Sequence, residues 1–439
     1  MNQTLQQLFD QLHREGVRYC CWDRRELADQ VTADILIDES EHQAMARATA
    51  ALGFKRCLGF DAATGTLIRL RISTTLVVDG GAQTGYRLPW ESVCLSTRVL
   101  EDGAYGADHH IALLLLLVRE ALAVEAGDVI RELFGRYNPV HTLVAARQEL
   151  VARVRQDRLR QIAIPLIGAR AARLLPVLCA NSGPTARALR AFRRRVEPAL
   201  VPVASQPPVS TRGRFVAFLG VDGAGKSTLT TEIARWLSAA LPVTTTYGGS
   251  GKGSASWPRR VMQTIAGWRR RWIRSSAAGT RDSIPSAASQ PSLGRLIWLM
   301  ALTAERRRRA TVALQAKVNG MVVLSDRLPQ SQFPGWNDGP RLGPWRHNGS
   351  RLRRYAAERE AEAFRLVDLV PPDLVVKLHV SPNVASQRKP ETRSQQLLNG
   401  IRMVRGLQFP PTTRVVDVDA EQPLPRVLIE AKRAVWECL

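Results

Sequence analysis

Apolar residues recur at three- and four-residue intervals from Leu5 to Glu15, and this spacing predicts an amphipathic helix. The run Asp34-Ile-Leu-Ile-Asp38 reads as a short buried strand, and Glu41 to Leu52 as a second helix. Between Leu67 and Val78 (LIRLRISTTLVV) the pattern alternates, as strands do. From Ile111 to about Arg195 it is helical, ending in the basic stretch Arg187 to Arg195. Pro, Ser and small residues then concentrate in PALVPVASQPPVSTRG, residues 198–213, which reads as a linker.

Beyond that linker the order changes to strand, helix, strand, long insertion, helix, strand. The predicted strands are Phe215 to Leu219, Val243 to Tyr247, Met321 to Ser325, Leu374 to Val380 and Arg414 to Val418. Strands alternating with helices imply an α/β domain with a parallel sheet flanked by helices. The chain therefore divides into an α+β domain with a helical extension (1–197), the linker, and the α/β domain (214–439).

Charge sharpens that division. Residues 1–130 hold 12 basic and 18 acidic side chains, and the remainder holds 50 and 21, within a total of +23. Such an excess attracts polyanions, so nucleic acid or an anionic membrane is a candidate partner. The basic, tryptophan-dotted insertion at 248–290, which includes Trp268-Arg-Arg-Arg-Trp272, is the segment to carry it, as a mobile loop or a surface helix. The longest apolar run, Ile111 to Val118, is far shorter than the roughly 20 residues a membrane span needs. The N-terminus lacks the basic start and apolar middle of a secretory signal, so the expected address is the cytoplasm. Six scattered cysteines with no paired CxxC spacing read as reduced thiols.

The chemistry concentrates where the first strand of the α/β domain breaks into Gly220-Val-Asp222-Gly223-Ala224-Gly225-Lys226-Ser227-Thr228. Amides turned inward by a loop of little side-chain bulk form a nest for phosphate oxygens, and the helix that follows presents its positive end. Lys226 would reach the β and γ phosphates, and Ser227 would offer its hydroxyl to magnesium. A second carboxylate comes from Met321-Val-Val-Leu-Ser-Asp326-Arg327, where an apolar strand delivers Asp326 to the carboxyl edge of the sheet. Asp326 would hold the metal through water, and Arg327 would contact an acceptor phosphate.

FLGVDGAGKST, VVLSDR and PDLVVKLHVSPNVASQRK together resemble the thymidylate kinase branch of the P-loop nucleoside monophosphate kinases, across most of residues 213–439. The resemblance implies transfer of the terminal phosphoryl group of ATP to an acceptor, with a lid of arginines closing over the phosphates. By position in that pattern Asp222 would face the acceptor sugar, Asp326 and Arg327 would be the Asp-Arg motif, and Arg388, with Lys389 and Arg393, would be the lid. Ala224 stands where some relatives carry Arg, which leaves charge stabilisation to the lid. Arginines suit that task because phosphoryl transfer spreads negative charge over the equatorial oxygens. Arg306 to Arg309 form either a further source of acceptor-phosphate contacts or a solvated basic face. The family's acidic-Pro-Gly and Tyr-Gln elements are replaced here by Tyr247-Gly-Gly-Ser-Gly-Lys252 and Leu328-Pro-Gln-Ser-Gln-Phe. The resemblance assigns no role to the Pro/Gly/Trp-rich loop around Asp338-Gly-Pro340, which could shape a different acceptor pocket, so the acceptor is a nucleotide, a sugar phosphate or another metabolite.

In the first domain, GVRYCCWDRREL and TADILIDESEHQAMARATAALGFKR resemble nucleotidyltransferase-like domains. That chemistry needs two carboxylates two residues apart on one strand. Thr32 stands where Asp34 needs its pair, and Asp38 lies about 13 Å along a strand, too far for metals about 3.5–4 Å apart. Strand Leu67 to Val78 presents Arg69 and Arg71 in place of a third carboxylate. The expectation is a degenerate, inactive domain that could still bind a ligand or fix an oligomer such as a homodimer, with a working nucleotidyltransferase as the alternative. His109-His110 read as loop residues rather than ligands. The function expected is an ATP- and magnesium-dependent phosphotransferase, and the rival reading is a nucleotide-controlled interaction protein.

Overall fold

The structure is a computed structural model describing residues 2–27, 29–55, 57–79, 84–123, 147–180, 185–204, 212–238, 240–247, 293–335, 338–347, 350–390 and 394–439. The basic insertion and Arg393 lie outside the described residues. Two compact units divide the chain, Met1–Pro208 and Val209–Leu439.

The first unit opens on a helix, Gln3–Arg14, that buries Leu5, Leu8, Phe9 and Leu12 along one face; the Asn2 side chain accepts from the Thr4 and Leu5 amides. Strands β1 (Tyr19–Leu27), β2 (Gln30–Ile37), β3 (Leu58–Asp61) and β4 (Thr66–Ser73) follow, then β5 (Leu76–Asp79), β6 (Thr84–Leu88), β7 (Val99–Glu101) and β8 (Ala104–Gly106). Six of them form one sheet in the order β3-β4-β2-β1-β8-β7. The described residues of the remainder are largely helical and pack their apolar faces into a core with Leu113, Leu117, Leu159 and Phe192.

Two expectations change here. Val201–Ala204, within the stretch read as linker, is strand β9 and pairs antiparallel with β6; valines at alternate positions suit the pleat better than a free tether. His109 and His110 open the helix His109–Ala123 rather than lying in a loop. His110 is buried with its Nδ1 2.8 Å from Asp108, so it serves the helix start.

The second unit has strands β10 (Arg214–Leu219), β11 (Val243–Tyr247), β12 (Val322–Asp326), β13 (Leu374–His379) and β14 (Arg414–Asp419) in the order β11-β12-β10-β13-β14. All four pairings are parallel. The central strands are continuous apolar runs because both faces are covered, whereas edge strand β11 reads Val-Thr-Thr-Thr-Tyr. Phe215, Ala217 and Leu219 pack on the helices Leu293–Val318 and Ser394–Gly406. Alternation turns Val216 and Phe218 to the opposite face, where the helices Lys226–Ser238 and Leu424–Cys438 pack together. Among the described residues no helix is long and apolar enough to cross a membrane.

Candidate active site

β10 lies between β12 and β13, so the loop at its carboxyl end emerges where the strand order reverses, the position at which open α/β sheets bind ligands. Gly223 and Gly225 both hold φ +88°. A Cβ on Gly223 would sit 2.7 Å from the Ala385 carbonyl, so packing as well as the left-handed backbone demands glycine there. The helix Lys226–Ser238 starts directly from this turn and presents its first amides towards the loop.

Lys226 is 6% exposed, and its Nζ donates to the Val221 carbonyl at 2.7 Å. Burial, reinforced by the charge of Arg327, pushes its ammonium down to about 8, against the pull of Asp222 and Asp326. Ser227 Oγ donates to Asp326 Oδ2 at 2.5 Å. Asp326 is buried at the end of β12, and its Oδ1 has no hydrogen-bond partner among the described residues. A carboxylate with one oxygen on a serine hydroxyl and the other buried and unmatched is a donor set suited to a hard cation with oxygen ligands.

Asp222 anchors a second cluster. It accepts from Arg327 Nη2 and lies 3.3 Å from Lys389 Nζ. Burial opposes its ionisation, but the charges of Arg327, Lys226 and Lys389 outweigh burial and hold the carboxyl below the usual carboxylate range. Arg327 takes a left-handed backbone, φ +78°, as the chain turns off β12. Its guanidinium lies over the Tyr247 ring and pairs with buried Asp338 at 3.6 Å.

The structure thus brings Lys226, Ser227 and Asp326 to one point, and Asp222, Arg327 and Lys389 to an adjoining one. Gly220 and Ala224 shape the loop, and Thr228 stands exposed at the helix start. Arg388 is not brought in: its Nη1 donates to the Ala420 carbonyl at 3.0 Å, and the neighbouring Lys389 takes the place beside Asp222. Arg388 is the last residue of the helix Pro382–Arg388, whereas Lys389 leaves it with φ −145° and ψ 77°, which is why one can face the loop while the other faces away. Of Arg306 to Arg309, Arg307 and Arg308 are exposed, whereas Arg306 pairs with Asp338 at 3.7 Å and Arg309 with Glu305 at 2.6 Å. Tyr247 and Asp338 join the site only through the fold. Their one signal in the sequence is that each interrupts the family pattern.

No protein-family model matches the chain. It is 25% identical to the uncharacterized ATP-binding protein YghR of Escherichia coli strain K12 over 222 residues, 50% of this chain and 86% of that protein. To the uncharacterized ATP-binding protein YghS of the same strain it is 27% identical over 231 residues, 52% and 95% of the two chains. It is also 30% identical to the thymidylate kinase of Thiobacillus denitrificans over 190 residues, which cover 42% of this chain and 74% of that enzyme. A phosphate loop opening a helix, a strand-end Asp-Arg pair beside it and this degree of likeness together place the chain in the thymidylate kinase family.

Proposed function

We propose that the protein binds ATP with Mg2+ and transfers its γ-phosphoryl group to a nucleotide or a related phosphorylated small molecule. The observation that carries this is the Ser227–Asp326 contact beside the buried Lys226, with Asp326 Oδ1 left unmatched. The likeness to ATP-binding proteins and to a thymidylate kinase supports it.

Ser227 and Asp326 are the residues that would hold magnesium. Bound there, the ion would neutralise charge on the β and γ phosphates. The loop amides and Lys226 grip the triphosphate, and Lys226 exchanges the Val221 carbonyl for phosphate oxygens. An ionised acceptor phosphate oxygen forms the new bond to the γ phosphorus. The bond from that phosphorus to the β–γ bridging oxygen breaks, its electron pair leaves with ADP, and no base is needed. Arg327 and Lys389, both on Asp222, are placed to meet charge on the acceptor side, so binding would loosen the Asp222 cluster. The test is incubation with ATP, Mg2+ and a panel of nucleoside monophosphates and sugar phosphates. A phosphorylated product that disappears in Lys226→Ala is expected, and turnover unaffected by that substitution refutes the assignment.

One observation favours a second reading, a nucleotide-controlled interaction protein. Arg306, Arg309 and Arg327 on the acceptor side are engaged by Asp338, Glu305 and Asp222 of the same chain. Loss of ATP without any acceptor, together with salt-sensitive polyanion binding, would favour that alternative.

A further inference from the structure

The first unit holds a polar constellation of its own. The register of β1, β2 and β4 builds two rungs on one sheet face: Asp23 opposite Asp34 beside Arg71, and two residues along, Arg25 opposite Thr32 beside Arg69. A bulge between Cys21 and Asp23 brings Asp23, instead of Trp22, into line with Asp34. Asp34 is 2% exposed and accepts from Arg25 Nη2 at 3.0 Å and Arg71 Nη2 at 2.6 Å. Asp23 accepts from Arg119 Nη1 at 2.8 Å and pairs with Arg25 Nε at 3.1 Å. Burial raises the Asp23 carboxyl, against the pull of Arg119 and Arg25. Arg69, Arg71, Ser73, Thr75 and Trp22, together with Asp34, line a small cleft over these rungs.

Positive charge wins in this cleft. Arg69 and Arg71 line it against Asp34, Arg25 and Arg119 pair with Asp34 and Asp23 alongside, and a divalent cation approaching Asp34 would have to displace two guanidinium groups. Arg71 keeps 20% of its side chain accessible, so an anion in the cleft can reach it. The Ser73 and Thr75 hydroxyls lie 3.0 Å apart on the same wall and offer donors. The Trp22 ring offers a flat apolar surface to the rest of a ligand.

We propose that this cleft binds a small organic phosphate without a divalent metal. Arg69 and Arg71 draw in the phosphate by their charge, Arg71 keeping its Nε and Nη2 on Asp34, while Ser73 and Thr75 supply hydroxyls and Trp22 covers the organic group. This reading is independent of the phosphotransferase assignment.

The test uses the full chain carrying Lys226→Ala, in EDTA, titrated calorimetrically with thymidine monophosphate, glucose 6-phosphate and inorganic phosphate. At least one ester is expected to saturate at lower concentration than inorganic phosphate. Arg69→Ala should then weaken it by about tenfold or more, the loss of a charge-assisted hydrogen bond. An ester-induced change in tryptophan emission should vanish in Trp22→Phe. The proposal is overturned if no ester binds in EDTA, if binding requires Mg2+, if inorganic phosphate binds as well as either ester, or if a folded Arg69→Ala keeps full affinity. Should Arg69→Ala fail to fold, unchanged affinity in both Ser73→Ala and Trp22→Phe overturns it equally.

Discussion

Replacing Lys226 by Met separates what the site does from what it costs the fold. The ammonium is 6% exposed and is pushed from 10.5 to about 8, a difference worth about 3 kcal/mol of destabilisation while the lysine is charged. Met fills a similar volume without charge but leaves the Val221 carbonyl without its donor, which costs about 1–2 kcal/mol. The net expectation is a protein more stable by about 1–2 kcal/mol near neutral pH. The pH dependence has a definite sign. The folded state binds this proton less tightly than the unfolded state, so the penalty is fully present below about 8 and is relieved as pH rises towards 10.5. The advantage of Lys226→Met should therefore shrink across that window. Binding should move the other way: losing a charge-assisted contact to phosphate costs about 1.5–3 kcal/mol, roughly 10- to 100-fold in affinity for ATP. Denaturant unfolding of the full chain at pH 7 and pH 10, with calorimetric ATP titration at pH 7, measures both. A variant that is less stable at neutral pH yet binds ATP normally would show that Lys226 is neither strained by burial nor in contact with phosphate.

Other predictions follow from the same geometry. Asp326→Asn should abolish the additional thermal stabilisation that Mg2+ gives over ATP alone while leaving metal-free ATP binding within about threefold, because it alters the proposed cation ligand and not the loop amides. Gly223→Ala should destabilise the fold by about 2–4 kcal/mol, from a left-handed alanine and a clash with the Ala385 carbonyl, read by denaturant unfolding. Lys389→Ala should lower turnover by about tenfold or more, whereas Arg388→Ala should change it by less than about threefold, since Arg388 is held by the Ala420 carbonyl. The reverse order in a turnover assay would show that Arg388, not Lys389, reaches the phosphates.

The phosphate loop is readable in the chain because its chemistry is local. Two glycines with φ +88°, a lysine and a serine act within nine consecutive residues, and the apolar run before them and the amphipathic run after them define strand and helix. Asp326 is readable for a related reason, since an apolar strand that ends in a carboxylate carries it to the sheet edge whatever the neighbouring strands are. Pairings across the fold were not readable. Asp222 meets Arg327 and Lys389 from 105 and 167 residues away, and only the order β12-β10-β13 sets them side by side. The choice of Lys389 over Arg388 depends on the chain leaving the helix between them. Val201–Ala204 became a strand because β6 offered an open edge. Asp23 came to face Asp34 because one bulged residue shifted the register of β1, turning what reads as a lone aspartate into a carboxylate pair wrapped in arginines. Backbone conformation answers to neighbours a few residues away, so the sequence determined the elements and the phosphate nest. Side-chain partnership answers to register and strand order, which many distant contacts decide together, and so the charge clusters belong to the tertiary structure alone.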